Sequence, residues 1–278
     1  MEPSNEARRK LAELRTWLKA RERIAVAFSG GVDSTFLLAI AHETLGDAVT
    51  AITADSPAYP VRELESARAF CTARGIRHIE FKTSELSIPG FDRNPENRCY
   101  LCKRALLTTM LERAEREGAH ILVEGSNADD VHAHRPGHAA VVELGCESPL
   151  QQTGLSKQEI RSLSRDLALP TWDKPSFSCL YTRFPYGDEL SIEALARVDA
   201  AEQLLMREGF SQVRVRVHGS IARIEVDARQ VERLAQPPIR ERIVDAFAKL
   251  GFGYVTVDLR GFRSGSMDEQ PAHPSETR

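Results

Sequence analysis

Ile24-Ala25-Val26-Ala27-Phe28-Ser29-Gly30-Gly31-Val32-Asp33-Ser34 is the stretch on which the fold turns. Its first five residues form an apolar run of buried-strand length. Two adjacent glycines end the run, let the backbone turn tightly and aim several N–H groups at one point. From 33 to 45, Phe36, Leu37, Ile40 and Ala41 recur at helical spacing. A helix starting there adds the positive end of its dipole, so strand, turn and helix together make a cradle for an anion. Asp33 is suited to hold Mg²⁺, and Ser29 and Ser34 to bond phosphate. A merely well-capped turn is the plain alternative, because Asp and Ser suit helix starts.

The same alternation runs outward from this stretch. Val49-Thr50-Ala51-Ile52-Thr53 reads as a second strand, 62–74 as a helix, His78-Ile79-Glu80-Phe81 as a third strand, 102–117 as a helix and Ile121-Leu122-Val123 as a fourth strand. Strands separated by helices imply an α/β fold with a doubly wound parallel sheet. Ligands of such sheets bind beyond the carboxyl ends of the strands. Ala54-Asp55-Ser56, after the second strand, is placed for adenine. Glu124-Gly125-Ser126-Asn127-Ala128-Asp129-Asp130, after the fourth, offers a glycine for close approach and carboxylates for a metal or substrate.

Beyond 148 the chain is richer in Pro, Ser and Gly, with one helix at 157–167. A helix at 192–207, strands at 213–217 and 221–226, two helices (228–235 and 238–249) and a last strand at 254–259 form a smaller C-terminal α+β domain. The expected division is 1–170, 171–263 and a disordered tail, 264–278.

With 278 residues, 42% hydrophobic and 28% charged, the composition suits a globular protein. The net charge of −3 argues against a nucleic-acid partner. No apolar run is long enough to span a membrane, and residues 1–23 lack a signal-peptide core, so a cytoplasmic location and no membrane contact are expected. A homo-oligomer is expected. The five cysteines, Cys71, Cys99, Cys102, Cys146 and Cys179, do not suggest a disulfide framework. Cys71, on an apolar helix face, and Cys146 read as packed and unreactive.

The glycine loop lacks the Lys of G-x-x-x-x-G-K-[ST], and so differs from loops that cleave the γ-phosphate. It resembles the S-G-G-x-D-S loop of the ATP pyrophosphatase (PP-loop) superfamily, whose members release AMP and pyrophosphate. Taken with Ala54-Asp55-Ser56-Pro57, Arg98-Cys99-Tyr100-Leu101-Cys102-Lys103, Glu124 to Asp130, Arg135-Pro136-Gly137, Ser148-Pro149-Leu150, Gly154 to Arg161 and Lys174 to Gly187, in that order, the chain resembles the LarE family of ATP-dependent sulfur transferases.

That resemblance implies a small-molecule substrate, pyridinium-3,5-biscarboxylic acid mononucleotide. A carboxylate of it is adenylated and then made a thiocarboxylate, in nickel-pincer cofactor biosynthesis for lactate racemase. Some members sacrifice the sulfur of the cysteine matching Cys179; others hold a [4Fe–4S] cluster on three thiolates, matched here by Cys99, Cys102 and Cys179. A zinc site completed by His132 or His134, or a redox pair, is the alternative reading of the C-x-x-C. Asp33, the loop glycines, Asp55, Ser56, Gly125, Asn127 and Lys157 are the expected ATP-Mg²⁺ ligands. Cys179, Asp33, Arg183 and Glu202 are the expected catalytic groups, with Arg214, Arg216 and Glu225 on the substrate. A solvated strand face is the plain reading of those last three. A tRNA-thiolating or amide-forming PP-loop enzyme and a non-catalytic nucleotide sensor are the competing functions.

Overall fold

Ile24 and Val26 join one apolar cluster while Ala25 joins another, and this alternation explains why the sheet carries helices on both faces. The strand is β1 (Ile24–Ala27). In β2 (Val49–Asp55), Val49 and Ala51 lie in the first cluster and Ile52 in the second. The first cluster takes Leu11, Leu14 and Leu18 of α1 (Asn5–Lys19), Phe36, Leu37 and Ile40 of α2 (Val32–Leu45), Phe70 of α3 (Val61–Arg74), and Ile160 and Leu163. The second takes Leu107, Met110 and Ala114 of α4 (Arg98–Arg116). The computed structural model describes residues 2–131, 137–175 and 177–267.

With β3 (Arg77–Lys82) and β4 (Leu122–Val123), the order is β3-β2-β1-β4, every pairing parallel. This is the α/β parallel sheet read from the sequence. The chain steps from β1 outward to β2 and β3, then returns to the other side of β1 for β4. The strand order therefore reverses between β1 and β4, where ligands of open sheets bind. Three helices follow: α5 (His138–Glu143), α6 (Pro149–Gln152) and α7 (Lys157–Asp166). Neither α5 nor α6 was legible beforehand, because each spans too few residues for a periodic pattern. Helix α4 begins at Arg98 rather than 102, so Cys99 lies inside its first turn.

The chain divides into two compact units. The first comprises residues up to Ile88 and Asn97–Phe177; the second comprises Pro89–Glu96 and the chain from Ser178 on. Within the second, α8 (Ile192–Arg207) buries Leu195, Val198, Ala201 and Leu205. The sheet order is β5 (Val213–His218), β6 (Ile221–Val226), β7 (Tyr254–Val257), antiparallel then parallel. Helices α9 (Val231–Ala235) and α10 (Ile239–Lys249) lie between β6 and β7.

The short segment 89–96 is tied in by Asn94. Its amide donates to Phe184 O (3.0 Å) and Pro185 O (2.7 Å) from a left-handed backbone, φ 45°, which Asn tolerates. The chain also remains packed past 264, where a disordered tail was expected. Ser266 Oγ donates to Glu225 Oε1 at 2.6 Å, and Arg223 donates to Met267 Sδ at 3.4 Å. The rest of that tail, His132, His134 and the Arg135-Pro136 part of the motif lie outside the described residues. Among the described residues no helix is long and apolar enough to cross a membrane.

Candidate active site

In the first unit, the loop after β1 and the loop after β4 meet. A Cβ on Gly125 would lie 3.1 Å from Ser34 N and 3.3 Å from Ser34 Cα, so a side chain there would press on the start of α2, an approach that glycine eases. Across the phosphate loop, Ser29 Oγ and Ser34 Oγ are 3.0 Å apart, and Ser34 Oγ donates to Gly31 O at 3.3 Å. Gly30 has φ 70°, and a Cβ there would meet Ala67 Cβ and Glu63 O of α3 at 3.4 Å.

Asp33 stands at the start of α2. Its Oδ2 accepts from Lys157 Nζ at 2.6 Å. Its Oδ1 is buried without a hydrogen bond among the described residues. Burial pushes the carboxyl up from its usual range; the Lys157 ammonium draws it partly back, and Asn127 adds a weaker pull. Lys157 is held at the first position of α7, where Ser156 and Glu159 form a capping box. Its N–H donates to Asp129 Oδ2 at 2.9 Å, while Asp130 Oδ2 accepts from Asn127 N at 3.0 Å. These two carboxylates thus bond backbone, a use their sequence positions did not reveal.

Two further networks in this unit escaped the sequence reading. Buried Glu124 accepts from Lys103 Nζ (2.8 Å), Ser126 N (3.0 Å) and Ser148 Oγ (2.5 Å). Burial pushes its carboxyl up, but Lys103 and these donors outweigh it and hold it below the usual range. Ser56 Oγ, expected near adenine, donates to buried Glu85 at 2.6 Å, and the Cys102 thiol donates to the other Glu85 oxygen at 3.8 Å. Asp55 closes β2, its carbonyl accepting from Thr83 N at 2.9 Å.

In the second unit, Cys179 is half-buried and precedes a single 3₁₀ turn, Leu180–Arg183. Arg183 lies fully buried beneath it. One side of its guanidinium donates to Glu202 Oε1 (2.7 Å) and Oε2 (3.1 Å). The other donates to Ser178 O (3.0 Å), Cys179 O (3.1 Å) and Thr182 Oγ1 (2.8 Å). Glu202, equally buried, also accepts from Val215 N at 3.0 Å. Arg183 and Glu202 thus fix the backbone on either side of Cys179. Arg183→Met is expected to destabilise the protein by about 3–5 kcal/mol, since it leaves Glu202 buried without its countercharge. Urea unfolding followed by circular dichroism measures it.

Arg214 and Arg216 share one face of β5 and are 5% and 4% exposed, which overturns the solvated-face alternative. Arg216 bonds Glu225 Oε2 (3.1 Å) and Thr182 O (2.9 Å). Arg214 lies opposite Glu225 in the strand register and stacks on the Phe262 ring, 5.0 Å from its centroid. Burial, then the nearby Arg183 charge, pushes the Arg214 guanidinium down to about 10, so it stays protonated at neutral pH. Three guanidiniums (Arg183, Arg214, Arg216) against two carboxylates (Glu202, Glu225) leave this buried cluster one charge positive. Such an excess favours an anion.

Residues 11–174 match the model of the asparagine synthase family. A protein of Lactiplantibacillus plantarum named pyridinium-3,5-bisthiocarboxylic acid mononucleotide synthase is 36% identical over 94% of this chain and 94% of its own. The chain belongs to the LarE family. Uncharacterized proteins of Synechocystis sp. (43% identical over 93% of this chain and 97% of its own) and Methanocaldococcus jannaschii (28%, over 92% and 98%) are similar as well.

As a member of the LarE family with a PP-loop domain, this chain is an ATP-dependent sulfurtransferase. Its thiols fall into two classes. Cys99 is exposed and Cys102 half-buried, three residues apart near the start of α4 and hence on one side of it. Such a pair suits two ligands of an iron–sulfur cluster. Within each unit, however, no three His, Cys, Asp or Glu side chains of the described residues converge as a metal site. Burial pushes the Cys71 thiol up to about 12 and the Cys146 thiol up to about 11, the latter also under the Glu124 charge. Thiolate is the reactive form. Native iodoacetamide labelling at pH 8 is therefore expected to modify Cys99, Cys102 and Cys179 about a hundredfold faster than Cys71 or Cys146, read by peptide mass spectrometry.

Proposed function

We propose that this sulfurtransferase acts on pyridinium-3,5-biscarboxylic acid mononucleotide in nickel-pincer cofactor biosynthesis for lactate racemase. A carboxylate oxygen of the substrate attacks the α-phosphorus of ATP, the bond to the β-phosphate oxygen breaks, and pyrophosphate leaves. A sulfur nucleophile then adds to the acyl carbon and AMP leaves, giving the thiocarboxylate. The reading is carried by the relative of 36% identity that spans both units and bears the product's name.

The residues divide the work. The loop glycines with Ser29 and Ser34 cradle the phosphates, Lys157 neutralises developing charge, and Asp55, Ser56, Gly125 and Asn127 border the nucleotide. The buried, unbonded Asp33 Oδ1 fits a divalent cation, and Mg²⁺ there would shield the phosphates from the attacking carboxylate. Arg214 and Arg216 hold the substrate's anionic part, with Glu225 orienting Arg216, while Arg183 and Glu202 present Cys179. Cys99, Cys102 and Cys179 would hold a [4Fe–4S] cluster, whose chemistry would be to pass on added sulfide and spare the protein's own sulfur. We place the enzyme in the cytoplasm, where free thiols persist, as a homo-oligomer.

A second reading rests on Cys179 alone, whose flanking carbonyls are clamped while its side chain stays half-exposed. Its thiolate would displace AMP to form a thioester. A base would then take the Cys179 Hα, the Cβ–S bond would break, and thiocarboxylate and dehydroalanine would result. Anaerobic reconstitution with iron and sulfide, then ATP and the pyridinium substrate, separates the two. Cluster absorbance with AMP, pyrophosphate and thiocarboxylate supports the first. Loss of about 34 Da at Cys179 supports the second. ADP as the product, or AMP release only with tRNA, overturns both.

A further inference from the structure

Lys174 reaches back across the first unit to the phosphate loop. Its ammonium donates to Gly30 O at 2.9 Å and pairs with Glu63 Oε2 at 2.7 Å. Its own backbone is anchored, because Arg161 of α7 donates to Lys174 O and to Trp172 O, both at 2.7 Å. Glu63 lies in the first turn of α3, the helix against which Gly30 packs. Lys174 and Glu63 are only 22% and 16% exposed at their side chains, so the pair is sheltered from solvent competition.

The carbonyl that Lys174 holds belongs to the same planar peptide as the Gly31 N–H. In a trans peptide these two groups point in opposite directions. Between two glycines that peptide has no side chain to limit its rotation, and glycine populates both signs of φ readily. A cation fixing the Gly30 oxygen on one side therefore fixes the Gly31 N–H on the other. Among the described residues that N–H donates no hydrogen bond. It sits one residue before α2, at the positive end of the helix dipole.

We infer that Lys174, with Glu63 as its countercharge, is a positioning residue of the phosphate loop: by holding Gly30 O outward it turns the Gly31 N–H toward the pyrophosphate portion of ATP. Lys157 and Lys174 then have different tasks. The first bonds a side chain at the helix start; the second sets the orientation of a peptide. The inference rests on ATP binding at this loop and does not depend on the identity of the acyl substrate.

The test is equilibrium binding of ATP-Mg²⁺ and of AMP to the full chain by calorimetry, without acyl substrate. Lys174→Met is expected to raise the ATP Kd about tenfold, the scale of one charge-assisted hydrogen bond, and the AMP Kd less than about twofold. Lys174→Arg, which keeps a donor and the charge, is expected to recover most of the ATP affinity and guards against a poorly folding Met variant. Glu63→Gln leaves the Gly30 contact and is expected to cost about threefold or less. Equal weakening of ATP and AMP, an unchanged ATP Kd in Lys174→Met, or no recovery with arginine overturns the inference. Wild-type protein that binds no ATP would sink the reading of the loop itself.

Discussion

Cys179→Ala is expected to leave substrate-dependent exchange of pyrophosphate into ATP within about twofold of wild type while lowering thiocarboxylate formation by at least about 10⁴-fold. Exchange reports adenylation and its reversal, which need the phosphate loop but no sulfur nucleophile. Thiocarboxylate formation needs that nucleophile on either route, because Cys179 is the donor on one and a cluster ligand on the other. The substitution should also be structurally mild. The clamp on this loop runs through Ser178 O and Cys179 O, which alanine retains. Radiolabelled pyrophosphate exchange and mass spectrometry of the product on one preparation measure both quantities. Parallel loss of the two would show that Cys179 serves the adenylation step or the fold.

Asp33→Asn is expected to lower pyrophosphate release about 10³-fold, the scale of removing a preorganised charge from a reacting phosphate. Its effect on folding has the opposite sign. Burial raises the Asp33 carboxyl pKa in the folded protein, so folding favours the neutral form and works against the charge carried at neutral pH. The linkage follows directly. With the folded pKa above the unfolded one, this group's contribution to stability is most favourable below the unfolded pKa and diminishes as pH rises through the folded pKa. Asparagine keeps the shape and removes the charge. The melting temperature of the ligand-free variant at pH 7.5 is therefore expected to equal or exceed that of wild type. A lower melting temperature with the activity loss would mean that the Lys157–Asp33 pair supports the fold more than it serves ATP.

Much of the first unit was legible in the sequence because its signals are local. The apolar run at 24–28, the glycines that follow and the periodicity of α2 each lie within a few residues of one another. The two apolar faces follow from alternation in β1 and β2, whereas the order of the strands was set by the fold and had no local signal. That the loops after β1 and β4 share one edge was legible from the strand ends, but the approach of Gly125 to Ser34 was not. Short pieces without periodicity left no such trace: α5, α6 and the segment around Asn94 take their form from the structure that surrounds them.

The charged residues divide in the same way. That Arg214, Arg216 and Glu225 belong together could be read from strand alternation and pairing. That they are buried, and that Ser266 of the supposed tail completes the cluster, could not. The amino-acid order alone determined where backbone turns, which residues share a face and that a glycine turn opens α2, since these depend on neighbouring side chains and chain stiffness. Only the tertiary structure decided which charge meets which: Lys157 with Asp33, Lys174 with Gly30 and Glu63, Arg183 with Glu202. Partners so far apart along the chain are chosen by packing, and their strength is set by the burial that packing creates.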